Sequence, residues 1–393
     1  MTRSPGTFEP AAGPAAEPAA GPAAEPAAGP AAEPAVEQGA VVATDRPRLA
    51  VMDGLRFLAA ASVLAFHFTA RSNAAWQTPV DQVFPRLHHV TAYGGYGVDL
   101  FFVISGFVIL MSTWGRDVPA FASSRVARLF PAYWACVLLS GVLLLWLWPA
   151  PRPTTVPQVL ANLTMQQEGF GVLDVDGVYW TLWAELRFYV LMGVLVAIGL
   201  TLQRVVLVTY VWPVLGAIAA ASGFTAGATI LVADQAPFFA GGMALYLVMR
   251  DRRSLVAWGA VLTNLAFAST VSVDVMTRSI AANAHVRVGD TAAAVTGLVC
   301  FGLVALATLT PLRRIGWRWL TTIGLLTYPL YLLHQYWGWW MIHLVHDDVP
   351  EYVALAIATA GCLLLAYLVN RLVERRWARP LRVRLDSELR RTE

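Results

Sequence analysis

The chain has 393 residues, 57% hydrophobic and 13% charged, against ~25% charged in soluble domains. That composition and a mean hydropathy of +0.57 exclude a soluble globular domain, and the net charge of +3 gives no sign of a nucleic-acid partner. All 28 basic residues are Arg, which excludes phosphate binding through a P-loop lysine and Schiff-base chemistry.

In chain order, the first 45 residues stand apart. The octapeptide EPAAGPAA runs three times from Glu9 to Ala32. A stretch this poor in large apolar groups cannot bury enough surface to fold, and it lacks the zones of a signal peptide. Residues 1–45 are therefore expected to be a disordered cytoplasmic tail. Hydropathy and length then predict an all-α polytopic membrane protein with about ten transmembrane helices. The spans are 49–69, 96–114, 129–148, 186–202, 204–222, 236–249, 255–272, 290–309, 319–345 and 351–371. Residues 46–375 form the membrane domain, and 376–393 are expected to be a basic cytoplasmic tail. With the N-terminus inside, 21 Arg fall in inner loops and tails and five in outer loops. Arginine marks the cytoplasmic side, so both termini are predicted to be cytoplasmic.

Ionisable groups inside the spans carry the functional information, because each costs ~2.5–3.5 kcal/mol at the bilayer centre on insertion scales. Span 1 holds Arg56 and His67. Eleven residues at ~100° each make three turns plus ~20°, so both lie on one helix face, ~16 Å apart. The topology puts Arg56 in the inner half and His67 near the outer end. Asp99 falls at the outer edge of span 2, Glu185 at the outer mouth of span 4, and His334 in the outer half of span 9. Four groups able to hold or move a proton are thus expected at a similar level. Arg125 and Arg128 stand three apart at the inner surface and share a face if helical, where the guanidinium fork suits phosphates.

Plainer roles stand beside these. His67 and His334 can serve only to hydrogen-bond neighbouring helices, His334 in a stripe with Tyr328 and Tyr331. Arg56 can pair with Asp53, Asp99 can cap span 2, Glu185 can be a first-turn acid, and Arg125 and Arg128 can be positive-inside anchors. Cys136, Cys300 and Cys362 read as packing residues. His343 and His346, near Asp347 and Asp348, lack enforced ligand geometry, so no metal site is expected.

Five strings, in order, resemble the acyltransferase 3 family, multi-pass bacterial membrane enzymes that move acyl groups from cytoplasmic acyl-CoA onto hydroxyls. RLAVMDGLRFLAAASVLAFHF resembles its opening motif, an Arg and a His with ten residues between them, here Arg56 and His67. GGYGVDLFFVISGFVI resembles the second-helix signature, with Asp99, Ser105 and Gly106. SRVARLFPAYW supplies Arg125 and Arg128 followed by Pro131, YWTLWAELRFY contains Glu185, and LTYPLYLLH contains Tyr331 and His334. The likeness covers about residues 46–375. Two departures stand out. Many relatives continue into an extracytoplasmic domain, whereas this chain ends about twenty residues past its last span, which implies single-domain action. Thr181 and Ala184 stand where Ser is commoner, which puts a small hydroxyl contact in question.

The resemblance implies an O-acyltransferase of the bacterial cytoplasmic membrane, transferring groups other than aminoacyl groups. Its co-substrate would be acyl-CoA, acetyl-CoA by default, with no permanently bound cofactor. A saccharide, lipid-linked sugar or glycosylated metabolite would be the acceptor. Arg125 and Arg128, with Arg56, would hold the donor, and His67 would act as general base. Glu185 or Asp99 would orient the imidazole, and Tyr331 and His334 would contact substrate. No GxSxG elbow is present, which favours direct transfer over an acyl-enzyme. A transporter or flippase of a polar glycoside is the rival, but the internal repeat common in such proteins is not seen: the motif-bearing polar groups crowd into the first four spans.

Overall fold

The computed structural model describes residues 49–391, save the side chains of 271–273, so the tail expected over 1–45 lies outside the described residues. Backbone polar groups in a bilayer must be satisfied within the protein, and this chain does so with helices; no strand occurs among the described residues. The longer helices are α1 (Ala50–Thr69), α2 (Gly97–Thr113), α3 (Val118–Val142), α4 (Trp180–Ala197), α5 (Leu202–Ala221) and α6 (Ala236–Arg250). They are followed by α7 (Leu255–Phe267), α8 (Val273–Ala284), α9 (Asp290–Leu309), α10 (Arg318–Val345), α11 (Glu351–Val369) and α12 (Arg375–Arg391).

The protein is an all-α, multi-pass membrane protein. Eight helical stretches among the described residues are long and apolar enough to cross a bilayer: Ala50–Thr69, Leu87–Thr113, Val118–Leu147, Trp180–Ala197, Leu202–Ala221, Leu255–Ala284, Asp290–Leu309 and Glu351–Arg391. Each of the ten expected spans falls on a helix, but α6 and α10 differ from these eight. The 15 residues of α6 reach only ~22 Å against a hydrocarbon core of ~30 Å. Its run from Ala236 to Val248 is buried, so its all-round apolar character reflects enclosure by other helices. Helix α10 has 28 residues, but its Tyr, Trp, His and Gln side chains, mostly buried, lower its hydropathy. By contrast Val190, Val194, Leu207 and Ile218 expose apolar groups on the outside of the bundle, where lipid would lie.

Two boundaries differ from the hydropathy reading. The third helix starts at Val118 instead of 129, and the fourth at Trp180 instead of 186. Hydropathy penalises Arg125 and Arg128 in one case and Glu185 and Arg187 in the other, although all four sit in regular helix. The early start of α3 is fixed locally. Asp117 Oδ1 accepts from the Ala120 amide at 3.0 Å, and Pro119 lies in the first turn, where its missing N–H costs nothing. The segment read as a basic tail is helical over Arg375–Arg391 and packs along α3. Arg390 holds both oxygens of Asp117, at 2.8 and 3.2 Å.

The centre of the bundle is built on three close pairings, α2 with α6, α10 with α1 and α10 with α11. In the first, a Cβ on Gly106 would meet the Phe239 carbonyl oxygen at 2.0 Å, and one on Gly242 would meet the Val103 oxygen at 2.0 Å. Only glycine lets these backbones approach so closely. Gly106→Val and Gly242→Val are each expected to destabilise the protein by ~1–3 kcal/mol or more through overpacking. Gly302→Val, where nothing lies within 4 Å of the added Cβ, serves as the control. Thermal unfolding in detergent reads the difference, and wild-type melting of both α2–α6 variants would show that this seam is loose.

Candidate functional site

Helix α4 has two working faces. Thr181, Leu182, Glu185 and Tyr189 fall within an arc of ~100°, while Trp180, Trp183 and Arg187 lie on the opposite side. The first set lines a cavity with about 850 Å³ of free space, completed by Arg56 from α1, Ser105 from α2, Arg125 and Arg128 from α3, and Tyr328 and Tyr331 from α10.

One end of this cavity is cationic. Arg125 and Arg128, now seen in regular helix, both line it. The Arg125 guanidinium stands 5.9 Å from the centre of the Tyr189 ring, and Arg128 stands 5.6 Å from that of Tyr328. Arg128 also donates to Glu374 Oε1 at 3.1 Å. Arg56 lies 3.7 Å from Asp53 and lines the cavity as well. Glu185 faces this end. Its Oε1 accepts from the Tyr189 hydroxyl at 2.5 Å and from Ser105 Oγ at 3.3 Å.

The other end approaches a pair of histidines. Trp339 Nε1 donates to the His67 carbonyl at 2.8 Å, fastening the end of α1 to α10. The His67 ring then meets the His334 ring edge-on, with centroids 5.0 Å apart. His334 Nδ1 lies 2.9 Å from the Tyr331 carbonyl and 3.2 Å from that of Leu330. Both neighbours are acceptors, so Nδ1 carries the proton and Nε2 the lone pair. His334 Nε2 and His67 Nδ1 are both buried without a hydrogen-bond partner among the described residues. Tyr331 is the partition between the pair and the cavity. It lines the cavity, its ring centre is 5.7 Å from that of His334, and its hydroxyl is 3.0 Å from Thr181 Oγ1. Thr181 thus supplies a hydroxyl contact at the position where the sequence put one in question.

Of the four proton-handling groups expected at a similar level, two are brought into contact. His67 and His334 come together, but Glu185 belongs to the arginine end and Asp99 to a second cavity. Neither carboxylate orients His67. Glu185 lies in the second turn of α4 and not at its mouth, because the helix starts six residues early. Asp99 stands about a quarter turn away from Val98, Phe102, Ser105 and Ile109, the face of α2 that lines the first cavity. Tyr189 and Glu374 were not anticipated as site residues. Tyr189 was detectable four residues after Glu185, whereas Glu374 is one acid in a basic run and meets Arg128 only through the fold. Away from this site, His346 Nε2 lies 3.0 Å from Gln77 Nε2 and its Nδ1 lies 2.9 Å from Asp347. Among the described residues no group of three or more His, Cys, Asp or Glu is placed to hold a metal ion.

Residues 49–371 match the protein family described as an acyltransferase domain, Acyl_transf_3. The chain is also similar to Acyltransferase MdmB of Streptomyces mycarofaciens, 31% identical over 149 residues, which are 36% of this chain and 38% of that protein. The match therefore spans well under two thirds of that relative's length. No solved structure matches the chain.

The loop leading into α4 carries three acids, of which Asp176 is buried, Asp174 half-buried and Glu168 exposed. Asp176 is fully buried, one oxygen accepting from the Val178 amide at 3.3 Å, and burial pushes its carboxyl up to about 7. Glu168 is likewise pushed up to about 7, first by burial and then by Asp174, whose own carboxyl burial also raises. Carboxyls raised in the folded state bind protons that the unfolded chain has released. Their contribution is fully present below the ordinary carboxylate value of ~4 and is lost as pH rises through about 7. Hydrogen exchange of residues 163–179 is expected to show several-fold less protection at pH ~8 than at pH ~5 after correction for intrinsic rates. Asp176→Asn should flatten that dependence. Equal protection at both pH values in the wild type would count against the raised carboxyls.

Proposed function

This chain belongs to the acyltransferase 3 family, and from that premise we propose that it is a membrane-embedded O-acyltransferase. It carries an acyl group, acetyl by default, from cytoplasmic acyl-CoA to a hydroxyl of a saccharide or glycosylated acceptor, in a bacterial cytoplasmic membrane. The observation that carries this proposal is the cavity itself, with three arginines at one end and, across Tyr331, a buried histidine pair at the other.

Acyl transfer needs a held donor, a base, a stabilised oxyanion and dryness. Arg125 and Arg56 grip the CoA phosphates, with Arg128 sharing its charge between phosphate and Glu374. The thioester then lies along the cavity towards Tyr331. His67 takes the proton of the acceptor hydroxyl, the freed oxygen attacks the thioester carbonyl, and the C–S bond breaks. The CoA thiolate leaves and takes up the proton from the imidazolium. The Tyr331 and Thr181 hydroxyls are the nearest donors for the oxyanion, and the His334 lone pair gives the His67 ring a partner when it charges. Burial of both imidazoles keeps water from competing for the thioester. Glu185, tied to Tyr189 and Ser105, sets the electrostatics of the arginine end. Asp99 faces the second cavity and takes no step here.

Mass spectrometry of glycans, lipids and small metabolites from three strains tests this proposal: one without the gene, one with it restored, and one restored with His67→Ala at matched membrane levels. An acyl-sized mass difference is expected with the wild type. With His67→Ala it should fall by ~10²–10⁴, the usual worth of a general base. A wild-type profile from His67→Ala would remove that residue from the chemistry. Compounds that change sides of the membrane without changing mass would favour a transporter. In purified protein, Arg125→Ala is expected to raise the KM for acyl-CoA more than it lowers kcat, as loss of ground-state binding does.

A further inference from the structure

The opposite face of α4 lines a second cavity, with about 1120 Å³ of free space. The arginine bias places it towards the outer side. Its walls include Asp99, Glu168, Asp234, Arg187, Trp180 and Trp183. Asp99 is the telling residue. It is only 5% exposed, yet it makes no capping bond to α2 and no hydrogen bond or ion pair with any described residue. An ionisable group kept bare at this depth is costly unless a partner arrives from elsewhere. Arg187 is not that partner. Its guanidinium lies over the Trp183 ring at 4.9 Å and donates to the Thr229 carbonyl. Three acids therefore share the lining with one guanidinium that is already held in the wall over Trp183, and Arg278 acts on Asp234 from beyond the lining.

We propose that this cavity binds an organic cation, a protonated amine carrying a ring or other apolar body. The ammonium sits against Asp99, with Asp234 adding negative potential. The body lies on Trp180 and Trp183, whose ring faces attract cations as well as apolar surface. The carboxylates do not converge as metal ligands do, which favours a bulky cation over a metal ion. The site is separate from the donor cavity and does not depend on the acyl-transfer proposal, because its signature is binding and not turnover.

The test uses the purified full-length protein in detergent, titrated at neutral pH with cyclohexylamine and, separately, with cyclohexanol, two probes of the same ring. Tryptophan fluorescence and calorimetry both report binding. The amine is expected to bind saturably and about tenfold or more tighter than the alcohol, a difference that isolates the ammonium. Asp99→Asn should abolish that preference, Asp234→Asn should weaken it, and Trp183→Ala should weaken both probes. If Asp99→Asn fails to fold, the Asp234 and Trp183 variants carry the same comparison. Equal binding of amine and alcohol would overturn the proposal, as would undiminished binding by every variant that folds. Displacement of cyclohexylamine by ammonium or sodium chloride at matched concentration would also overturn it, by assigning the site to small inorganic cations.

Discussion

A polar side chain inside a bilayer has no water to bond, so each one the bundle keeps must be held by another part of the protein. That constraint organises this molecule. The Thr181 and Tyr331 hydroxyls tie α4 to α10, Glu185 and Ser105 tie α4 to α2, and Trp339 ties α10 to the last turn of α1. Every such bond joins helices far apart in sequence, so satisfying polar groups and assembling the bundle are one process. Against this background the unsatisfied groups stand out. His67 Nδ1, His334 Nε2 and the Asp99 carboxyl group are all buried without a hydrogen-bond partner among the described residues, and Asp99 lines the second cavity.

Helix α4 turns this local rule into a division of labour. Its period puts Glu185 and Tyr189 on one side and Trp180, Trp183 and Arg187 on the other, so a single rigid rod walls two cavities of different charge. The first is dominated by guanidinium groups and suits an anion; the second is dominated by carboxylates and suits a cation.

The sequence made the helices legible, because a bilayer imposes length and hydropathy on each span with little dependence on the rest of the fold. It made Arg125 and Arg128 legible for the same local reason, since residues three apart share a face once the stretch is helical. What it hid were relations between helices. His334 lies 267 positions from His67, and nothing in either span records that the α1–α10 crossing sets their rings edge to edge. Hydropathy also misplaced Glu185, because a carboxylate reads as a boundary when its partners, Ser105 and Tyr189, are invisible. The same blindness made Asp99 look like a companion of His67: depth follows from position along one helix, but the direction a side chain faces matters only against neighbours that packing supplies.

The arginine pair shows how packing breaks a symmetry that the sequence suggests. Arg-x-x-Arg reads as two equal grips on a phosphate. In the fold, Arg128 is bound to Glu374, and Glu374 is itself held by Asn370 Nδ2 at 2.5 Å. Among the described residues, Arg125 meets the Ser124 hydroxyl at 3.3 Å and the face of Tyr189. A guanidinium already paired with a carboxylate gains less from a phosphate than one paired with a hydroxyl and a ring, because part of its field is neutralised. Arg128 therefore braces the arginine end of the cavity by joining α3 to the turn after α11, while Arg125 has no carboxylate partner among the described residues. A motif of two identical residues is thus unequal in the fold, and the acid that separates them lies outside the motif altogether.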